Sequence, residues 1–190
     1  MPSSLEHCHS ENMHFSRNEK RIFMIDFFPS EHITASKKER FGICDTDRSS
    51  TSKAYITEKK GEEWIAVVVN PYRESVNFVP IDHCIDLKRA DGKMDPRCDG
   101  CLFYQTTLIF VELKAQTIKS NRWINDAEKQ LRSTIKHFEN ESISGRFSTK
   151  KAYIANRCKP QTRSGQMQRM QRFFNDTGYV LCIQREIEIQ

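Results

Sequence analysis

The segment Leu108-Ile109-Phe110-Val111-Glu112-Leu113-Lys114 constrains this chain more than any other. Side chains alternate across a strand, yet here both parities are apolar, so the strand has no face to give to water. It must be central and covered on both sides. Cys101 to Tyr104, a turn at Gln105-Thr106-Thr107 and Leu108 to Leu113 then read as a hairpin. Downstream, Trp123, Ala127, Leu131, Ile135 and Phe138 recur at helical spacing, with Ser120 or Asn121 as the expected cap. Ala152 to Ala155 reads as a short strand. Met167, Met170 and Phe174 mark a second amphipathic helix closed by Gly178, and Tyr179 to Ile183 a last buried strand. The order β-β-α-β-α-β predicts an α/β fold, a mixed sheet covered by helices.

The first half is less regular. Residues 1–20 are polar and without period, and are expected to form a flexible N-terminal arm. Arg21 to Phe28 is strongly apolar, of a type its period does not fix. Ala54 to Thr57 and Trp64 to Val69 flank a Gly-containing turn and predict a hairpin; Val76 to Val79 and Ile81 to Leu87 continue the strand-like pattern around Pro80. The chain of 190 residues is long enough for one domain with its own core, expected over 21–190. No run reaches the ~18 apolar residues of a membrane span, and the first residues lack the basic and apolar regions of a secretory signal. Seven scattered cysteines do not suggest a disulfide framework, so a reducing, cytoplasmic compartment is expected.

Glu112 and Lys114 share the face of Leu108 and Phe110, two rises or roughly 7 Å apart. An acid and an amine therefore continue an apolar stripe at the end of a central strand, where burial is costly unless each charge has a partner. Asp99, beside Gly100, opens the neighbouring strand, and a tight hairpin brings it alongside Glu112. Two carboxylates and a lysine suit metal-assisted phosphodiester hydrolysis: the carboxylates hold a hard cation, and the lysine orients or helps deprotonate water and offsets charge on the phosphorane.

Cys98-Asp99-Gly100-Cys101-Leu102-Phe103-Tyr104, then Leu108 to Lys114, followed by a helix containing Gln130, resembles the core of the PD-(D/E)XK nuclease superfamily over about residues 80–185. The resemblance implies a restriction-endonuclease-like mixed sheet flanked by helices, roughly αβββαβ, here with an N-terminal β-rich extension. It implies Asp99, Glu112, Lys114 and Gln130 as catalytic-site residues, with Asp99, Glu112 and the Leu113 carbonyl as ligands to Mg²⁺ or Mn²⁺. Gln130 would be auxiliary or contact substrate. Asp99 is followed by Gly100 rather than preceded by proline, and the helical acid that often precedes the core has no clear match; Glu62, Glu63 and Asp82 are candidates. The implied activity is nuclease action on DNA. A catalytically silent nucleic-acid-binding or protein-interaction module on the same fold is the alternative, and a homodimer or protein partner, as in a defence complex, fits either.

Charge supports a polyanion partner. Residues 1–95 hold 14 Lys and Arg against 16 Asp and Glu, whereas residues 96–190 hold 16 against 9. Lys129, Arg132, Lys136, Lys150, Lys151, Arg169 and Arg172 are the expected phosphate contacts; an ordinary solvated helix face would carry the same residues. Cys98 and Cys101 form a single pair, expected to point to opposite faces of an extended segment and to be packing thiols rather than zinc ligands. His7, Cys8, His9 and His14 read as a stray cluster in the arm.

Overall fold

The structure, a computed structural model, describes residues 24–45, 52–59, 63–116, 122–158 and 166–190. The expected arm over 1–20, its His and Cys residues, Glu62 and the Ser120 or Asn121 cap lie outside the described residues. The protein is mixed α/β. Strands β1 (Thr34–Ser36), β5 (Val76–Pro80), β6 (Gly100–Tyr104), β7 (Thr107–Lys114), β8 (Thr149–Asn156) and β9 (Val180–Cys182) form a six-stranded sheet in the order β1-β5-β6-β7-β8-β9. Strands β2 (Arg40–Cys44), β3 (Tyr55–Thr57), β4 (Ala66–Val69) and β10 (Glu186–Glu188) form a second sheet in the order β10-β4-β2-β3. Both sheets are mixed: β7, β8 and β9 run parallel, as do β10 and β4, while the remaining pairings are antiparallel. Two α-helices are described, α1 (Arg122–Glu139) and α2 (Met167–Thr177). No helix among the described residues is long and apolar enough to cross a membrane.

β7 is the doubly covered strand its sequence requires. Leu108 and Phe110 enter a core shared with Trp123, Ala127, Leu131, Ile135 and Phe138 of α1, whereas Ile109, Val111 and Leu113 enter a second core shared with Phe41, Ile43 and Val68 of the smaller sheet. The layers are thus helices, large sheet, small sheet. Fully burying a side chain such as Phe110, Leu131 or Phe138 stabilises the fold by roughly 1.5–3 kcal/mol. Phe138 meets Phe27 and Phe110 edge-on, at centroid distances of 5.1 and 5.4 Å, which fixes the C-terminal half of α1 over β7.

Several expectations are corrected. β3 and β4 do not form a hairpin: β2 lies between them and pairs with both. Its Gly42 lets the Trp64 ring lie against the strand, because a Cβ there would stand 2.1 Å from ring carbons. The stretch from Ile81 to Leu87 is not a strand. After Pro80 the chain turns, with the Cys84 and Ile85 N–H groups bonding the Ile81 carbonyl at 3.2 and 2.9 Å, and Ile81, Ile85 and Leu87 fill the end of the helix-facing core. On α2 the buried residue is Phe173, not Phe174; Met167 is 83% exposed and Phe174 47%. With two adjacent phenylalanines, the spacing alone cannot say which faces inward. Gly178 does end α2 in the left-handed region, φ 76°, its N–H reaching the Phe174 carbonyl at 2.7 Å. Cys98 and Cys101 both enter the helix-facing core rather than opposite faces, because the strand begins only at Gly100. No α-helix precedes β5 among the described residues.

Candidate active site

The hairpin turn at Gln105-Thr106 is two residues long, with Gln105 at φ 45°, and it sets Gly100 opposite Val111. Asp99, the residue before β6, is thereby delivered beside Glu112. β7 runs on to Lys114, where its neighbour is Asn156 at the end of β8. The three chemistry-bearing residues meet at the carboxyl end of the central strand.

Glu112 is 1% exposed. Its Oε1 accepts a hydrogen bond from Lys114 Nζ at 2.5 Å, and its Oε2 is buried with no partner. An orphaned carboxylate oxygen of this kind costs stability and marks a place where something else can bind. The Asp99 Oδ2 accepts the Leu113 N–H at 2.5 Å. A strand residue points its N–H and C=O to the same side, so the Leu113 carbonyl also faces Asp99. Gln130 on α1 accepts from Lys114 Nζ at 3.2 Å and donates to the Arg97 carbonyl at 2.9 Å. Asp99, Glu112, Lys114 and Gln130 are therefore brought together.

Burial dominates the electrostatics. It pushes the Glu112 carboxyl well above its ordinary range, and the Asp99 charge adds to the effect against the pull of Lys114. Burial likewise moves Asp99 up to about 7, despite the Leu113 N–H and Lys114. Burial works against the Lys114 charge, but Glu112, with Asp99 and Asp126 behind it, outweighs that and raises the Lys114 pKa. Lys114 is thus held as an ammonium.

Of the two candidate acids among the described residues, Asp82 and not Glu63 has a charge that reaches both Asp99 and Glu112. It follows Ile81, whose N–H bonds the Asp99 carbonyl at 3.0 Å, and Arg97 holds it at 2.9 Å. Glu63 instead pairs with Arg157. Asp45, after β2, also raises Asp99 and was not apparent from sequence. Among the described residues no three His, Cys, Asp or Glu side chains form a set that could enclose a metal. Two carboxylates nevertheless fit Mg²⁺, which commonly takes one or two and retains water. Burial raises the thiol of Cys98 well above its usual value and that of Cys101 to about 12, so both are protonated where they pack in the core. His83 and His137 pair with Asp82 and Asp95, at 3.2 and 2.8 Å.

The expected phosphate contacts do not form one cluster. Lys129, Lys136 and Arg172 are exposed on α1 and α2. Arg132 pairs with Glu128 and Asp176, at 2.8 and 3.0 Å, and lies over Phe173; Arg169 pairs with Glu128 at 2.5 Å. Lys150 pairs with Glu139 at 2.8 Å and Lys151 meets Gln190 at 3.0 Å. Both lie at the start of β8, roughly 20 Å along the strand from Asn156. Asn156 is itself 1% exposed and bonds the Gln116 carbonyl and the Cys158 N–H, at 3.0 Å each, bracing the chain that leaves the site. A polar residue closing the apolar run Ala152 to Ala155 was the only sequence signal for it. A cavity of about 940 Å³ lined by Met24, Glu31, Cys84 and Arg89 does not include the carboxylates. Comparison with family models, with curated proteins and with solved structures returned no match for this chain.

Proposed function

We propose that this protein is a divalent-cation-dependent nuclease of PD-(D/E)XK type, hydrolysing phosphodiester bonds in DNA with Mg²⁺ or Mn²⁺. The observation that carries the reading is the meeting of Asp99, Glu112 and Lys114 at one strand end, with Glu112 Oε2 buried and unpartnered. The alternation of β5, β6 and β7 with α1 and β8 is compatible with a restriction-endonuclease-like core.

In this reading Asp99, Glu112 and the Leu113 carbonyl hold the cation. A bound divalent ion polarises the phosphate and lowers the pKa of water next to it. Lys114, kept as an ammonium, is a donor and not a base: it would orient the attacking water and offset charge that grows on the phosphoryl oxygens. The water oxygen bonds to phosphorus, its proton passing to solvent, and one P–O ester bond breaks, the leaving oxygen taking a proton from solvent. Gln130 holds the Lys114 amine in line. The exposed Lys129, Lys136 and Arg172 are the bases open to DNA phosphates. Free thiols at Cys84, Cys98, Cys101, Cys158 and Cys182 suit a reducing, cytoplasmic setting.

The experiment is cleavage of plasmid and oligonucleotide DNA with Mg²⁺, Mn²⁺ or EDTA. Cation-dependent nicking lost in Lys114→Ala supports the reading. No cleavage across substrates and metals sinks it and favours a binding module without catalysis.

A further inference from the structure

Helix α1 reaches the segment ahead of Asp99 through two side chains one turn apart. Gln130 Nε2 donates to the Arg97 carbonyl at 2.9 Å, and the Thr134 hydroxyl oxygen accepts the Cys98 N–H at 2.9 Å. That carbonyl and that N–H belong to one peptide group, the one joining Arg97 to Cys98. Side chains at i and i+4 stand one above the other on a helix, so this pair is spaced to straddle a single peptide. Thr134 is wholly buried, and its own proton goes to the Gln130 carbonyl at 3.0 Å. Its oxygen is thereby left as an acceptor aimed at Cys98. The other end of the Gln130 amide holds Lys114 Nζ at 3.2 Å.

The gripped peptide lies immediately before Asp99, and β6 begins only after it, at Gly100. Its plane therefore sets the point from which the Asp99 carboxylate departs. One turn of α1 thus holds both the peptide before Asp99 and, through Gln130, Lys114 at the end of β7.

We propose that Gln130 and Thr134 form a peptide clamp that sets Asp99 against Glu112 for cation binding, with Thr134 as a positioning residue. The inference rests on the nuclease reading of the site and adds a residue that touches neither cation nor substrate. Removal of the hydroxyl lets the peptide rotate and spoils the spacing of the two carboxylates.

The test is calorimetric titration of Mn²⁺ into the full chain, unmodified and as T134V and T134S, together with DNA affinity in EDTA and thermal unfolding. T134V weakens Mn²⁺ binding by about tenfold or more, T134S stays within about twofold, and DNA affinity in EDTA is the same in all three. If T134V lowers only the unfolding midpoint and binds Mn²⁺ like the unmodified protein, Thr134 is a core hydrogen bond and the clamp is wrong. Equal loss in T134V and T134S also overturns it, since serine keeps the hydroxyl and the loss would then not follow the bond to the Cys98 N–H. Should T134V fail to fold, Q130M removes the other jaw, and undiminished Mn²⁺ binding there is likewise fatal. An unmodified protein that binds no Mn²⁺ overturns the nuclease reading and the clamp together, whereas failure of the clamp alone leaves the unmodified protein binding the ion.

Discussion

The Asp99 carboxylate accepts the Leu113 N–H at 2.5 Å across the gap where β6 stops short of the end of β7. A side-chain oxygen here takes the place of the ladder partner that a longer β6 would have supplied. The strand end is closed without another backbone, and a second carboxylate is left next to buried Glu112. Hairpin register and the placement of the two carboxylates are therefore one feature of the fold.

Glu112→Gln removes a buried charge whose Oε2 has no partner. The variant keeps an amide oxygen for Lys114 Nζ and is expected to unfold within a few degrees of the unmodified protein, because relief of the unpartnered Oε2 offsets the loss of the ion pair with Lys114. Its Mg²⁺ affinity falls, its DNA affinity in EDTA is retained, and cleavage drops by about 10²-fold or more. Cleavage at the unmodified rate in a well-folded variant would place the chemistry elsewhere.

The pH dependence follows from Asp99. Its carboxyl is raised from 3.8 to about 7, chiefly by burial, so between these values the folded chain holds a proton that the unfolded chain has lost. This contribution to stability is full below the unfolded value and is lost as pH rises through the folded one, at up to about 1.4 kcal/mol per pH unit. Without cation, stability relative to Asp99→Asn should fall across that window. Cation binding needs the ionised carboxylate, so Mg²⁺ affinity should rise across it. Chemical denaturation and titration at several pH values check both; a Mg²⁺ affinity that falls toward neutrality contradicts the assignment.

The bases divide into two groups by their partners. Ala in place of exposed Lys129 and Arg172 should weaken DNA binding and flatten the plot of log affinity against log salt by about one unit for each phosphate no longer neutralised. Lys150→Ala, which removes an ion pair with Glu139, should leave that slope unchanged and cost no more than about 1 kcal/mol of stability. Binding isotherms over a salt series separate the two. An unchanged slope in the Lys129 and Arg172 variant would move the nucleic-acid surface to another face.

Gly100→Ala tests the packing behind Asp99. A Cβ at Gly100 would stand 2.6 Å from Phe78 Cζ and 2.8 Å from the Val79 carbonyl oxygen. Phe78 is fully buried between the sheets and cannot retreat, so the substitution should cost about 1–3 kcal/mol and weaken cation binding by displacing Asp99. Gly145→Ala, where a Cβ meets nothing within 4 Å, should change stability by less than about 0.5 kcal/mol. Denaturant midpoints of the two variants make the comparison.

Local periodicity made part of this protein readable. The two apolar parities of β7 dictated a strand covered on both sides, and period two placed Glu112 and Lys114 on one face, where they are hydrogen-bonded. The stripe Trp123, Ala127, Leu131, Ile135 and Phe138 settled α1 and its buried side. Gly178 ended α2 because glycine adopts positive φ without steric penalty. The Asp-Gly at 99–100 opened the neighbouring strand, so even the approach of Asp99 to Glu112 was a short-range consequence of hairpin register.

What remained hidden depends on segments far apart in the chain. That β2 separates β3 from β4, and that β10 from the end of the chain pairs with β4, are choices among strands of similar pattern; closing loops over such distances leaves no periodic mark. The choice of Phe173 over Phe174 came from how α2 sits on β9 and α1. The pairing of Arg132, Arg169 and Lys150 with carboxylates, the influence of Asp82 and Asp45 on the site, and the grip of Thr134 on the peptide before Asp99 likewise arise from tertiary packing. The sequence by itself determined which residues could be buried together and which charges shared a strand face, since those follow from 3.6 and 2.0 residue periods. Only the tertiary structure decided which of those charges are neutralised within the fold and which carboxylate oxygen is left buried without a partner, because both depend on how distant segments pack together.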